Sequence, residues 1–298
     1  MPRFTKALLL YNGNAGRGDI EQKLSDVLPI LSRGIKELIV LQTASKEEVT
    51  EVCKKNSDQV ELLIILGGDG TLHCCINALA PLPNRPIIAV LPGGTSNDFS
   101  RMLEIPQNLS AAAEAIIEGK VLDIDVAQSD EKYFLNFWGI GMVADTSKNI
   151  DDQHKKSFGV LSYFMSTLKT VSQSEQFTYK IETKGEVYEG EAVVILFLNG
   201  TFIGTRQIPV LTIDPTDGYL DVLIVKNSSI ASFRELLSMS NAEVNKEALE
   251  QLIHFQADEI KINTGTAKEI DMDGEISTET PADIRILPKH IQMIQAQN

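Results

Sequence analysis

The sequence has few cysteines and histidines, and none of them forms a familiar metal-binding pattern. Its 298 residues include only Cys53, Cys74 and Cys75 and four scattered histidines. No CxxC or HExxH spacing is present, which argues against a zinc site. Cys74 and Cys75 are adjacent and cannot easily bridge to each other, so we expect reduced thiols, as in a cytoplasmic protein.

Long apolar runs and an excess of positive charge are also missing. No apolar run approaches the ~18 to 20 residues of a membrane-spanning helix, and Leu8–Tyr11 is too short for a signal peptide. We therefore expect a cytoplasmic protein without a transmembrane segment. The formal net charge of −14 argues against a nucleic-acid partner, because phosphate backbones are bound by clustered Lys and Arg. Transient contact with a membrane through a local patch remains compatible with this charge.

The most informative stretch is Val60–Leu72, with the sequence VELLIILGGDGTL. Its apolar first half predicts a buried strand, and a helical pattern begins at Leu72 after the glycines. A strand that turns into a helix through glycines presents backbone N–H groups and a positive dipole end, which together favour a phosphate. Asp69 is placed to reach a metal or a hydroxyl, and we expect Thr71 to cap the helix. The glycines alone fit an ordinary strand-to-helix turn equally well.

Residues 1–125 alternate between strand-like and helix-like segments, which predicts an α/β domain with a parallel sheet. Ligands of such sheets bind beyond the carboxyl ends of the strands, where this chain places the polar loops 12–18, 67–71 and 93–98. The predicted strands are 7–11, 37–41, 60–65 and 86–91, and the predicted helices are 20–31, 46–56, 72–79, 99–103 and 108–119.

Residues 126–288 are dominated by strand-like segments, which predicts a second domain that is mainly an antiparallel β sandwich. The expected active site is the cleft between the two domains. The predicted strands are 133–138, 177–183, 187–199, 219–226, 259–263, 269–272 and 284–287, with a hairpin turn at 183–186 and helices at 159–171 and 230–255.

One motif points towards a different cofactor. Gly139–Ala144 matches the GxGxxA form of the dinucleotide fingerprint and follows a strand. However, no βαβ unit follows, and Asp151 and Asp152 come too soon to be the acidic residue of that fingerprint. We therefore interpret this segment as a tight turn.

Four motifs occur in order along the chain, and their combination is more specific than any one of them. They are NGNAGRG from Asn12, GGDGTL from Gly67, PGGTSNDFSR from Pro92 and DMDGE from Asp271. Together they resemble the diacylglycerol kinase catalytic family, which also contains sphingosine and ceramide kinases and small soluble bacterial lipid kinases. The resemblance covers essentially the whole chain. It implies a Rossmann-like ATP-binding domain of the NAD-kinase and phosphofructokinase type over 1–125, to which 289–298 return, and a lipid-substrate domain over 126–288.

The resemblance also assigns roles to particular residues. It implies that Glu275 is the general base and that Asp69 and Asp98 take part in catalysis, with Mg²⁺ as the metal. The residues that it places at a structural magnesium are Asp214, Asp217 and Tyr219. Those that it places at ATP are Asn12, Thr43, Gly67, Gly68, Asp69, Gly70, Thr71, Gly94 and Thr95.

Each assignment has a simpler alternative. Asn97 and Asp98 fit the N-cap of a helix, Asp217 fits a type I turn, and Glu275 fits a solvated position after an Asp273-Gly274 turn. The family also keeps an acid and a lysine near the site, which correspond to Asp125 and to either Lys155 or Lys156. Arg101 fits either a phosphate contact or a partner for the surrounding carboxylates.

The first loop departs from the family pattern Asn-Pro-x-Ser-Gly, because Gly13 and Ala15 replace the proline and the serine. The loss of the serine hydroxyl puts one phosphate contact in question, for which Asn14 or Arg17 are possible substitutes. Gly16 keeps the turn.

The reaction that this resemblance implies is transfer of phosphate from ATP to a lipid alcohol, and the preferred acceptor is diacylglycerol, which would become phosphatidic acid. A cytoplasmic enzyme of this kind contacts the membrane transiently to reach its lipid, and the family implies a possible homodimer. Candidate membrane contacts are Phe158, Tyr163, Phe202 and Ile203, although such side chains more often pack in a core. The alternatives are an NAD kinase, which shares GGDGT, and a catalytically idle lipid- or nucleotide-binding relative.

Overall fold

A computed structural model describes residues 2–13, 20–141, 176–241, 243 and 248–297. The chain divides into two compact units, Met1–Val126 with Lys289–Asn298 and Ala127–Pro288. The described residues do not include the predicted helix 159–171, the motif residues 142–144, or several residues singled out above. These are Asn14, Ala15, Gly16, Arg17, Gly18, Asp151, Asp152, Lys155, Lys156, Phe158 and Tyr163.

The first unit contains a parallel sheet with the strand order β2-β1-β3-β4. The strands are rich in Leu, Ile and Val, and Leu8, Leu9 and Leu10 are fully buried, as expected for a parallel sheet that is covered on both faces. The predicted α/β class is thereby confirmed. The strands are β1 (Phe4–Asn12), β2 (Ile35–Thr43), β3 (Leu62–Gly67) and β4 (Ile87–Pro92).

Five helices of the first unit lie in the described residues, and two of them begin at side-chain caps. Ser45 accepts a hydrogen bond from the Glu48 backbone N–H at 3.2 Å, and Asn108 accepts one from the Ala111 backbone N–H at 3.1 Å. The helices are α1 (Ile20–Gly34), α2 (Lys46–Asn56), α3 (Asp69–Leu79), α4 (Asp98–Met102) and α5 (Leu109–Glu118).

The last strand, β18 (Ala282–Gln295), is much longer than the predicted segment 284–287. Met293 pairs in parallel with Ile88 of β4, within the first unit. The buried carboxylate of Asp125, in strand β5 (Lys120–Ser129), accepts a hydrogen bond from the Lys289 backbone N–H at 2.6 Å. Asp125 therefore holds the chain where it enters the C-terminal segment.

The second unit contains two larger antiparallel arrangements of strands and a separate two-stranded sheet, in which Phe202 pairs with Gln207. The predicted β sandwich is confirmed. One larger arrangement has the order β14-β13-β10-β7-β16-β17, and in the other β15 pairs with β18 and β8, and β8 with β9. Trp138 and Phe197 stack in the core with ring centroids 4.6 Å apart. The strands not yet named are β6 (Lys132–Phe134), β7 (Phe137–Gly141), β8 (Phe177–Glu182), β9 (Val187–Ala192), β10 (Val194–Leu198), β11 (Phe202–Ile203), β12 (Arg206–Gln207), β13 (Leu220–Val225), β14 (Leu252–Ala257), β15 (Glu259–Thr264), β16 (Glu269–Met272) and β17 (Glu275–Glu279).

The helix predicted over 230–255 is wrong. Ile230–Ser238 forms helix α6, but Leu252–Ala257 is strand β14, which pairs antiparallel with β13. A short apolar run such as LIHFQA is compatible with the spacing of either a helix or a strand. Here it forms a strand because β13 is available to pair with it. The predicted strands 133–138 and 187–199 each form two strands, while the hairpin turn at 183–186 is confirmed by the Thr183 N–H donating to the Glu186 carbonyl.

Two simpler expectations concern membranes and thiols. Within the described residues, no helix combines the length and the apolar character that crossing a bilayer requires. The three cysteines are present as thiols, and Cys53 and Cys75 are buried.

Candidate active site

The first glycine motif forms the junction between β3 and α3. Gly67 is the last residue of β3, Gly68 is the N-cap, and the helix already begins at Asp69. No side chain caps this helix, so the prediction that Thr71 is the cap is wrong. Thr71 instead lies in the first turn, with its backbone N–H bonded to the Gly68 carbonyl at 3.0 Å. An eleven-residue helix that starts without a side-chain cap keeps its N-terminus suited to an anion.

The second glycine motif follows β4 and lies directly against the first. A Cβ atom placed on Gly94 would be 2.5 Å from the Gly68 Cα, and one on Gly68 would be 3.0 Å from the Gly94 Cα. The Gly93 N–H donates to the Gly67 carbonyl at 2.9 Å, which joins the two loops. Only residues without a Cβ allow this approach, so the two motifs form one backbone surface.

Asn97 closes the second loop. Its Oδ1 accepts a hydrogen bond from the Gly94 N–H at 2.9 Å, and its Nδ2 donates to the Gly94 carbonyl at 3.1 Å. The backbone of Asn97 is in the left-handed region with φ 54°, which Asn tolerates better than most residues. Asn97 stands at the N-cap position of α4, as the simpler alternative expects, but its side chain makes no capping bond and instead shapes the loop.

The two acidic residues of these motifs lie at the starts of α3 and α4. Asp69 Oδ1 accepts a hydrogen bond from the Phe99 N–H at 3.3 Å, and Asp98 is 7% exposed. The carboxylate of Asp69 therefore reaches the residue next to Asp98. Arg101 donates from Nε to the Ser96 carbonyl at 3.0 Å, which gives this side chain a bond within the loop.

Asn12 and Thr43 lie at the same edge of the sheet. They are paired residues at the ends of β1 and β2, and Gly67 pairs with Pro92 at the ends of β3 and β4. Thr43 is 1% exposed, and its hydroxyl donates to the Tyr11 carbonyl at 3.2 Å. The structure thus brings the predicted ATP residues of the first unit to the carboxyl edge, where ligands of parallel sheets bind.

One cation near this edge was not predicted. Lys23, on α1, donates from Nζ to the Gly93 carbonyl at 3.4 Å and is half-buried. Nothing in its local sequence distinguishes Lys23 from other lysines of an amphipathic helix, because its position depends on how α1 packs.

Glu275 is the first residue of β17, just after a tight hairpin. Met272 and Glu275 are paired, so Asp273 and Gly274 form a two-residue loop, and both have positive φ, 55° and 89°. Asp-Gly is a preferred sequence for such a type I′ turn. Glu275 is half-buried, which differs from the fully solvated position that the simpler alternative assumes.

Asp214, Asp217 and Tyr219 lie in the turn before β13. Asp214 Oδ1 accepts hydrogen bonds from the Thr216 N–H and hydroxyl, at 2.9 and 2.7 Å. Asp217 accepts from the Tyr219 N–H at 2.9 Å and from Gln256 Nε2 at 3.1 Å. The turn proposed as the alternative role of Asp217 is therefore compatible with these bonds.

Partial burial raises the pKa of the Asp217 carboxyl, and repulsion from Asp214 and Asp221 adds to this, while hydrogen bonds from Tyr219 and Gln256 oppose it. Among the residues that the structure describes, no group of three or more His, Cys, Asp or Glu side chains is arranged to hold a metal. A cation here would need backbone carbonyls beside the two carboxylates, a donor set that Mg²⁺ accepts. A cation beside Asp217 would reduce the repulsion that this carboxylate experiences from Asp214 and Asp221.

Behind this turn lies a buried polar cluster that sequence reasoning missed. Asp221 is 1% exposed, and its Oδ1 is 2.6 Å from His254 Nε2. Gln256 Nε2 donates to Asp221 Oδ2 at 3.2 Å as well as to Asp217. The cluster joins β13 to β14, so the predicted helix over 230–255 concealed it.

Comparison with known proteins gives matches over both units. The family model described as the diacylglycerol kinase catalytic domain matches residues 6–129, and that of the YegS C-terminal NAD kinase beta sandwich-like domain matches residues 139–295. A Staphylococcus aureus (strain Newman) protein named "Putative lipid kinase" is 34% identical over 297 residues, which cover 98% of this chain and 97% of the relative.

Two solved structures from Bacillus anthracis str. Sterne are also similar. One is described as a "putative diacylglycerol kinase", with a TM-score of 0.89 and 40% identity, covering 99% of this chain and 98% of that one. The other is described as a diacylglycerol kinase, with a TM-score of 0.83, 36% identity and the same coverage.

Proposed function

We propose that this chain, which belongs to the diacylglycerol kinase catalytic-domain family, transfers the γ-phosphate of ATP to the hydroxyl of a lipid. The observation that carries the proposal is the contact between the two glycine loops, Gly68 against Gly94, beside the uncapped start of α3. Backbone N–H groups and a helix N-terminus bind phosphates without many lysines, which suits a chain of net charge −14.

The residues of the first unit take the nucleotide in this proposal. Gly67–Thr71 and Gly94-Thr95 hold the phosphates, and Asn12 and Thr43 contact the nucleotide from the neighbouring strand ends. Bound ATP supplies the transferred phosphoryl group. When present, Mg²⁺ neutralises phosphate charge, and Asp69 and Asp98 are its candidate ligands because both lie at the starts of helices beside the loops.

Glu275 is the general base of the proposed reaction. Its carboxylate accepts the proton of the lipid hydroxyl as that oxygen bonds to the γ-phosphorus of ATP, while the bond from this phosphorus to the ADP oxygen breaks and ADP leaves. The tight Asp273-Gly274 turn supports this role, because it sets the position of Glu275 at the start of β17. As in other phosphoryl transfers, positioning and charge stabilisation contribute most of the rate.

The preferred acceptor is diacylglycerol, giving phosphatidic acid. The support for it is that the two similar Bacillus anthracis structures are described as a "putative diacylglycerol kinase" and a diacylglycerol kinase. Access to this lipid requires contact with a membrane surface. This contact is transient in our proposal, because a chain of net charge −14 is not attracted to an anionic membrane. A homodimer remains part of the proposal by family resemblance.

A structural magnesium at Asp214, Asp217 and Tyr219 is a separate part of the proposal. The repulsion among Asp214, Asp217 and Asp221 supports it, since a cation would relieve that repulsion. Its role would be to hold the turn before β13, away from the transferred phosphate.

An NAD kinase is the second candidate, favoured by the match of residues 139–295 to an NAD kinase beta sandwich-like domain. Its acceptor is also a hydroxyl. The PGGTSNDFSR and DGE motifs favour the lipid acceptor.

Phosphate transfer from labelled ATP tests both candidates. The purified protein is assayed with detergent-dispersed diacylglycerol, other lipid alcohols and NAD, with Mg²⁺ present or removed by chelation. We expect a labelled lipid product that depends on Mg²⁺. Labelling of NAD alone would favour the second candidate, and nucleotide binding without any labelled product would favour an idle relative.

The variant Glu275→Gln tests the base. Glutamine keeps the size of the side chain but does not accept the proton, so we expect turnover to fall at least 100-fold, within the range of general-base contributions. ATP affinity should change less than twofold. A variant that loses ATP affinity in proportion to turnover would show that Glu275 serves binding and not proton transfer.

A further inference from the structure

The side chain of Asp273 makes more hydrogen bonds than its turn requires. Its Oδ1 accepts from the Asn136 and Phe137 backbone N–H groups at 2.8 and 3.0 Å, and its Oδ2 accepts from the Leu135 N–H at 3.0 Å. The Asp273 N–H in turn donates to the Phe137 carbonyl at 3.0 Å. One residue is thus joined by four bonds to a segment more than 130 positions earlier in the chain.

The segment that Asp273 binds is itself fixed. Residues 135–136 connect β6 to β7, and Phe137 begins β7. The Asn136 carbonyl accepts hydrogen bonds from the Asn199 and Gly200 N–H groups at 2.9 and 2.8 Å. The carboxylate of Asp273 therefore binds the hairpin tip to residues 135–137, and the same segment is hydrogen-bonded to the residues that follow β10.

Glu275 lies two residues after this anchor. Gly274 is also held within the hairpin, because its N–H donates to Asp271 Oδ1 at 2.8 Å, and Asp271 is 1% exposed. A hairpin tip is normally among the more mobile parts of a sheet. Here, the bonds of Asp273 to residues 135–137 and the bond from Gly274 to Asp271 restrict that motion. They do so just before Glu275, which must meet the acceptor hydroxyl within hydrogen-bond reach.

A second hairpin in the same unit provides a comparison. Asp130 also lies in a two-residue turn, between Ser129 and Lys132, with a positive φ of 49°. Its Oδ1 accepts one backbone N–H, from Asp283 at 3.3 Å. A left-handed Asp in a turn thus needs at most one such bond, and the three N–H groups bound to Asp273 call for another explanation.

We propose that Asp273 is a positioning residue, whose carboxylate holds the β16–β17 hairpin against residues 135–137 and thereby sets the location of the Glu275 carboxylate. This inference rests on the proposed function, because it assigns Glu275 a catalytic role. Asp273 does not itself contact the substrate.

The variant Asp273→Asn removes the anchor with little change in size. An amide has one acceptor oxygen, so either the Leu135 N–H or the pair from Asn136 and Phe137 would face an NH₂ group. Lipid phosphorylation is measured as kcat, KM for ATP and KM for lipid, together with the thermal unfolding midpoint. Asp130→Asn is the matched control, and Glu275→Gln is measured alongside.

We expect Asp273→Asn to lower kcat at least tenfold while KM for ATP stays within twofold and the protein remains folded at the assay temperature. Asp130→Asn should behave like the unaltered protein. In addition, hydrogen–deuterium exchange at residues 135–137 should become faster in Asp273→Asn, which shows that the anchor has been lost.

Three outcomes would overturn the inference. If Asp273→Asn keeps its kcat while Glu275→Gln loses it, the proposed base stands and the positioning role does not. If Asp273→Asn is unfolded at the assay temperature, or loses ATP affinity as much as kcat, the carboxylate supports the fold generally. If Glu275→Gln keeps full turnover, the proposed function fails first, and the positioning role fails with it.

Discussion

The contact between the glycine loops leads to a quantitative prediction for Gly94→Ala. The added Cβ would be 2.5 Å from the Gly68 Cα and 2.9 Å from Asn97 Oδ1, whereas ordinary contact begins at 3.4 Å. The Gly68 atom belongs to the backbone and cannot rotate away. The loops must therefore separate by about 0.9 Å, and overpacking of this kind costs about 1–3 kcal/mol.

Two measurements check this prediction. The thermal unfolding midpoint should fall by several degrees, since about 1 kcal/mol corresponds to roughly 2–4 °C in a protein of this size class. ATP affinity, measured by calorimetry, should fall by about 5- to 150-fold, because restoring the loop geometry on binding would cost about 1–3 kcal/mol. The two effects share one cause and should appear together.

Gly185→Ala is the matched control, because a Cβ at Gly185 has no heavy atom within 4 Å and the residue lies in a hairpin of the second unit. It should leave both the midpoint and ATP affinity unchanged. If Gly94→Ala were folded and bound ATP as tightly as the unaltered protein, then the close approach of the loops would not form the phosphate site, and the central argument for the function would fail.

Two further predictions concern titrating groups. Burial lowers the pKa of His290, although the bond that it donates to the Ala80 carbonyl opposes this, so the unfolded chain binds more protons. The free energy of unfolding should therefore fall as the pH drops from about 6.5 towards the folded pKa. Denaturant titrations of His290→Gln should show a weaker pH dependence, and an unchanged pH dependence would contradict the role given to His290. At Asp217, the raised pKa means that the ionised carboxylate costs stability above that pKa. Without Mg²⁺, the thermal unfolding midpoint of Asp217→Asn should equal or slightly exceed that of the unaltered protein. Millimolar Mg²⁺ should raise the midpoint of the unaltered protein only, and an equal rise in both proteins would argue against a cation at Asp217.

Local sequence patterns were sufficient to predict much of the secondary structure of the first unit. The Leu- and Ile-rich strands β1 and β3 are recognisable because a parallel sheet buries both of its faces and leaves continuous apolar runs. Ser45 is recognisable as a cap because its hydroxyl bonds a backbone N–H only three residues away. Such short-range chemistry is encoded within a few neighbouring residues.

Errors arose where a distant partner decides the local structure. Leu252–Ala257 is a strand because β13 is available to pair with it, and its six residues carry no distinctive period of their own. Thr71 is not a cap because the helix begins two residues earlier, at Asp69, where Gly68 can adopt the required extended backbone. In both cases the sequence allowed two structures that differ little in local energy.

The sequence by itself determined which chemistry the chain offers: glycine loops at strand ends, acidic residues beside them and a glutamate after a tight turn. It did so because motif spacing and turn preferences depend on the backbone within a few residues. Only the tertiary structure decided that Gly68 lies against Gly94, that Asp221 meets His254, and that Asp273 binds residues 135–137. These contacts join parts of the chain tens to more than a hundred residues apart, and only the packing of helices and sheets brings them together.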